Sequence, residues 1–155
     1  EKYFYHSATV TNLLTVLAIS GIFSGLLFGF LVKRAKNLTL TIMLSFMTLG
    51  SMIFSFSNNI VLFILGAILI GISFVGAMSF NFFYISNKLE NKFINFSTSI
   101  MLVGGNIGVI LTPIILTKLP EALHLEKFIT PFYITTLAML ICTIISYFSL
   151  KDNNN

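Results

Sequence analysis

Residues 25–37 read GLLFGFLVKRAKN, an apolar run with Gly25 and Gly29 four apart, followed at once by Lys33, Arg34 and Lys36. A single Lys or Arg at the centre of a membrane-spanning helix costs roughly 3 kcal/mol, so burying all three would cost about 9. The cations therefore belong at a water interface and the run before them in apolar surroundings. The same partition extends through all 155 residues, of which 56% are hydrophobic and 9% charged, with a mean hydropathy of +0.96. A soluble domain carries far more charge than this.

Five runs are long enough to cross a hydrocarbon core, which needs about 20 apolar residues. They cover residues 8–32, 38–57, 60–86, 93–117 and 128–150, and every Asp, Glu, Lys, Arg and His lies outside them. The expected fold is an all-α polytopic membrane protein whose first partner is the lipid bilayer, with the chain forming a single transmembrane domain. The net charge of +4 does not point to nucleic acid, because the cations are thinly spread at run ends and form no stripe for phosphates. Cys142, the sole cysteine, sits inside an apolar run and reads as a small buried hydrophobe. His6 and His124 stand apart outside the runs and read as interfacial, so neither a metal site nor a cofactor is expected.

All ten glycines fall within the runs rather than between them. In lipid, apolar side chains gain nothing by leaving an apolar solvent, and small residues instead let helix backbones approach. Gly21, Gly25 and Gly29 form two overlapping steps of four on the first helix, and Gly104 and Gly108 form another on the fourth; these are expected to pack helices. Thr41, Ser45, Thr48 and Ser55 share a rough face of the second helix and are expected to bond back to their own backbone. Asn37 reads as the start signal of that helix. Pro113 should free a carbonyl and bend the fourth helix, whereas Pro131 near the start of the fifth costs little. The sequons at Asn37 and Asn95 lie against the membrane and are not expected to be glycosylated.

Orientation follows from the cations near the run ends. Lys33, Arg34, Lys36, Lys88, Lys92 and Lys151 fall on one side, against Lys2, Lys118 and Lys127 on the other, six to three. The first side, with the C-terminus, is expected to be cytoplasmic. The chain then starts outside, at Glu1 rather than Met, and the expectation is a fragment of a longer chain with at least one more spanning helix upstream.

The Gly-rich first helix ending in a short basic loop, the tight hairpin after the second helix, and the run FINFSTSIMLVGGNIGVILTP together resemble the C-terminal half of a major facilitator superfamily (MFS) transporter. The resemblance aligns the five runs with the eighth to twelfth helices and covers nearly the whole chain. GLLFGFLVKRAKN is similar to the family's basic loop motif, Gly-x-Leu-x-Asp-Arg-x-Gly-Arg: Gly29, Leu31 and Arg34 match. Lys33 stands where the acidic residue is expected, Lys36 where a glycine is, and Asn37 where a basic residue is. The family implies a multi-pass carrier of the cell membrane that moves a small organic solute by alternating access, as in efflux of drugs or metabolites. It also implies an N-terminal half of the same protein as partner, and a gating role for the Lys33–Arg34–Lys36 loop.

The resemblance places the central cavity on the third helix. Independently, Ser73, Ala77, Asn81 and Tyr84 recur at i, i+4, i+8 and i+11, a face smaller and more polar than its surroundings. Asn81 must either bond a neighbouring helix or face a wet cavity, since an unpaired amide at membrane depth is costly. Asn106 poses the same choice, and its neighbours Gly105 and Gly108 argue for a close helix contact. A membrane-embedded enzyme would need a nucleophile with a base, a metal cluster or paired carboxylates at membrane depth, and the runs offer none of these. Any proton coupling would then rest on residues elsewhere in the longer protein. A non-transporting scaffold or assembly subunit is the competing expectation.

Overall fold

In the computed structural model, residues 7–57, 59–122 and 130–151 are described. Helix α1 spans Ser7–Ala35, a 3-10 turn covers Lys36–Leu38, and α2 spans Thr39–Phe56. After a tight connection, α3 spans Ile60–Lys88 and α4 spans Asn91–Pro113. A π-helical turn, Ile114–Lys118, leads into the short α5, Leu119–Ala122, and α6 spans Thr130–Lys151. The described residues contain no strand, and five helical segments are long and apolar enough to cross a membrane. At 1.5 Å per residue, the 29 residues of α3 span about 43 Å, ample for a core of about 30 Å.

Local chemistry explains the helix boundaries, and in three places it departs from expectation. Asn37 lies within the 3-10 turn, and the N-cap position of α2 falls on Leu38. The Thr39 hydroxyl donates to the Lys36 carbonyl at 2.7 Å, and Lys36 itself takes the left-handed conformation, with φ at 47°. At α3 the cap is Asn59, whose side chain accepts from the Val61 amide at 3.0 Å. The charged stretch between α3 and α4 narrows to Leu89 and Glu90, because both helices run into it. Pro113 does more than bend a continuing α-helix. Lacking an amide proton, it closes α4, and the backbone goes on through the π-helical turn into α5, in residues expected to be a loop.

Helix α3 lies between α1 and α2, and α6 packs on the far side of α2. Glycines set these spacings. A methyl on Gly71 would overlap the Leu17 carbonyl oxygen and the Ser20 hydroxyl of α1. One on Gly21 would sit 2.7 Å from Val75 Cγ2, while at Gly25 Val75 stands 3.7 Å away, in ordinary contact. On the other flank, a methyl on Gly50 of α2 would meet Ile70 Cγ1 at 2.7 Å and the Gly66 carbonyl at 3.0 Å. Small hydroxyls stitch the same seams. Ser24 donates to the Ile72 carbonyl at 2.7 Å, and Ser73, fully buried, donates to the Met43 carbonyl at 2.5 Å.

Ser45, Thr48 and Ser55 of the α2 hydroxyl stripe bond back to their own helix as expected, for example Ser45 to the Thr41 carbonyl at 2.8 Å, whereas Thr41 bonds Ser146 of α6 instead. The stripe thus also reaches α6. Thr41 meets Ser146 at 3.1 Å, Thr48 meets Thr143 at 3.1 Å and Ser55 meets Thr136 at 3.2 Å. On α2 these rungs recur every seven residues, which keeps them on one seam. Phe54 and Phe56 close it at one end, with Phe132 and Tyr133 at centroid distances of 5.7 and 5.3 Å. Among the described residues Cys142 is exposed rather than buried, off the face that α6 packs on α2.

Helix α4 differs from the rest. None of its residues is buried, and Val109 is 71% exposed although the helix is apolar. No described atom beyond its own helix backbone comes within 4 Å of a methyl built on Gly104, Gly105 or Gly108, and the same holds for Gly29 of α1.

Candidate functional site

Successive helical residues turn by about 100°, so the four-residue steps from Ser73 to Ala77 to Asn81 each drift by about 40°. Ser73 and Asn81 therefore point about 80° apart, and the structure divides the polar face accordingly. Ser73 turns toward α2 and spends its hydroxyl on the Met43 carbonyl. Ala77 and Asn81 turn toward α4. Tyr84 stacks on the buried Phe80 at 6.0 Å.

Between α3 and α4 lies a cleft of about 390 Å³. Ala77 and Asn81 line it from α3 and Asn106 from α4, so three of the five expected cavity residues share one space, while Ser73 and Tyr84 do not line it. Phe74, Met78, Met101, Leu102 and Val109 supply apolar walls, joined by Met47 of α2. Gly105 also lines the cleft, and its missing side chain leaves room there. The three methionines were not singled out from sequence; at a sequence level they look like lipid-facing residues. Their unbranched, polarisable side chains suit a surface that adapts to its ligand.

Asn81 is half-buried and Asn106 exposed, and neither carboxamide has a hydrogen-bond partner among the described residues. Asn87, by contrast, donates to its own helix at the Phe83 carbonyl, 2.8 Å away. The lining contains no titratable side chain. A comparable cleft of about 320 Å³, lined by Leu13, Leu14, Leu17, Phe54, Phe63, Ala67 and Phe132, has only apolar walls and nothing to orient a polar solute.

The basic loop sits where α1 turns into α2. Lys33 and Arg34 occupy the last turn of α1, and Lys36 carries the left-handed backbone. That conformation is the one glycine adopts at least cost, and Lys36 is the position at which the similar motif has glycine. Across this end of the bundle, Lys92 pairs with Glu90 at 2.8 Å and lies 4.9 Å from the Phe93 ring centroid. The pair is exposed and adds little stability. His6 and His124 lie outside the described residues.

No curated protein and no solved structure matches the chain significantly. A family model described as Major Facilitator Superfamily matches residues 2–154, nearly the full sequence. With five long apolar helices as its frame, the chain is an integral multi-pass membrane protein that belongs to the major facilitator superfamily of membrane transporters.

Proposed function

We propose that the chain forms the C-terminal half of a secondary carrier that moves a small organic solute, and that the α3–α4 cleft is part of the solute pathway. The observation that carries this reading is the pair of unpartnered carboxamides, Asn81 and Asn106, in one otherwise apolar cleft. An amide at membrane depth without a protein partner is costly, and water or a passing solute offsets that cost. In carriers built from two repeats or halves, such sites lie near the midplane at the interface between them, and rocking about the site alternates access. The open flank of α4 fits that arrangement, because a second half and a further helix of this one would have surface to cover. Lys33, Arg34 and Lys36, with Lys88, Lys92 and Lys151, set that end of the bundle in the cytoplasm by the excess of cations. The membrane is then the cell membrane, and the apolar cleft favours efflux of lipophilic compounds.

Proteoliposomes containing the full-length protein should accumulate or release a small organic solute with saturable kinetics, and those containing residues 1–155 alone should not. Equal flux by the 155-residue chain would overturn the two-half reading. A fluorescent protein fused after Asn155 should be shielded from external protease in intact cells; digestion there would reverse the orientation.

A further inference from the structure

The two carboxamides stand at different depths. From the turn that joins α3 to α4, Asn81 lies seven residues back from Lys88 and Asn106 fourteen residues beyond Lys92. At 1.5 Å per residue these are axial heights of about 10 and about 21 Å, so the amides are offset by about 10 Å along the helices. Between them the lining is apolar: Met78, Met101 and Leu102, with Phe74 level with Asn106. Among the described residues the cleft thus has a hydrogen-bonding group toward each end, a greasy middle and no charge.

We infer that the α3–α4 cleft selects an uncharged, elongated, lipophilic molecule with a hydrogen-bonding group, such as an amide, carbonyl or hydroxyl, toward each end. The inference rests on the cleft being part of the solute pathway, and it adds the chemical class of the solute. An ion in this space would lose its hydration and find no counter-charge among the described lining residues. A plain hydrocarbon would fill the middle but leave both amides unpaired, which costs more than the hydrogen bonds themselves contribute. A carboxamide both donates and accepts, so either sense of hydrogen bond at the solute's ends is met.

The test uses a biphenyl bearing an acetamide at each far end, tritiated, with purified full-length protein in a scintillation proximity assay. Competitors are the same biphenyl with carboxylates, with trimethylammonium groups or with ethyl groups at those ends. The bis-acetamide should bind at least about tenfold more tightly than each of the other three. Asn81→Ala and Asn106→Ala should each weaken it by roughly fivefold to tenfold, the loss of about one hydrogen bond. Where Asn81→Ala does not fold, Asn81→Asp keeps the shape, adds a negative charge and should shift the preference toward the trimethylammonium compound. The inference is overturned if a charged or ethyl analogue competes as well as the bis-acetamide, if both asparagine variants bind normally, or if folded protein binds none of the four. Flux in proteoliposomes separates the two readings. A protein that moves some solute but fails these binding criteria sinks the solute class and leaves the carrier. One that binds the bis-acetamide through both asparagines but moves nothing sinks the carrier and leaves the site.

Discussion

Two glycine-bearing regions of the same chain behave in opposite ways. In the block formed by α1, α3, α2 and α6, glycines at positions 21, 50, 66, 71 and 76 have neighbours where a side chain would be, and serine hydroxyls cross the same seams. On α4, Gly104, Gly105 and Gly108 face open space. Among the described residues, neighbours are brought against the glycines of the first region, and none comes within 4 Å of a methyl on those of α4. The packed block is held by close helix contacts, and α4 is, among the described residues, a surface with a cleft on one side.

The sharpest way to break this contrast is to add a methyl in each region. Gly71→Ala drives a Cβ into the Leu17 carbonyl, part of a backbone that cannot turn aside, so α1 must move off α3. The expected loss is about 3 kcal/mol, roughly 6–12 °C in melting temperature in detergent. Gly108→Ala meets nothing within 4 Å and should leave melting unchanged or raise it slightly through helix propensity, by up to about 0.8 kcal/mol. If Gly108→Ala in the full-length protein is as harmful as Gly71→Ala, a helix from outside the described residues packs on α4.

Serines extend the comparison at lower cost. Ser73 is fully buried and bonds across to α2, whereas Ser99 on α4 bonds only its own Asn95 carbonyl at 2.9 Å. Ser73→Ala should cost about 1.5 kcal/mol, near the upper end for hydrogen bonds between membrane helices. Ser99→Ala should be neutral within about 0.5 kcal/mol. Matching losses in the two variants would erase the distinction between the regions.

The edge of the packed block gives a change of opposite sign. Lys36 holds a left-handed backbone, which costs a residue with a Cβ about 1–2 kcal/mol. Lys36→Gly removes that strain but loosens the unfolded chain, for a net gain of about 1 kcal/mol. Lys36→Val, branched at Cβ, should lose stability instead. A rise in melting temperature with valine would show that the turn is not held in this conformation.

Much of this architecture is readable from the chain, for identifiable reasons. The partition of charge from apolar runs is forced by the cost of burying ions, and it leads directly to five long helices. Packing is less legible. Gly66, Gly71 and Gly76 are spaced by five, so they face different neighbours: Gly66 meets α2, Gly71 meets α1, and Gly76 meets both Met43 and Ser24. A spacing of four, as at Gly104 and Gly108, does not pick them out. The site was half legible for a similar reason. Polar residues four apart drift around the helix, so Ser73 and Asn81 share a stripe in the sequence but serve different neighbours. Asn106 came into view only as one polar residue between glycines; its place in the same cleft as Asn81 depends on how α4 leans on α3, which no local pattern encodes.

The smallest effect concerns the seam between α2 and α6, where hydroxyl meets hydroxyl. Thr48 and Thr143 lie 3.1 Å apart, and each also donates to its own helix, Thr48 to Leu44 at 2.9 Å and Thr143 to Met139 at 2.8 Å. A hydroxyl has one proton, so at any moment at least one of the two must satisfy itself at home while the other donates across, or share its proton between both acceptors. Removing one hydroxyl leaves its partner bonded to its own carbonyl, which is why each single change to valine should be mild. The interaction shows only in the double-mutant cycle of Thr48→Val and Thr143→Val, with an expected coupling of about 0.6 kcal/mol, the average for polar pairs between membrane helices. Thr112, on the uncovered α4, provides the control: its hydroxyl donates to the Gly108 carbonyl at 2.7 Å. A cycle of Thr112→Val with Thr143→Val should show no coupling. Coupling there equal to that of the Thr48 cycle would mean that it arises from helix stability in general and not from the hydroxyl contact.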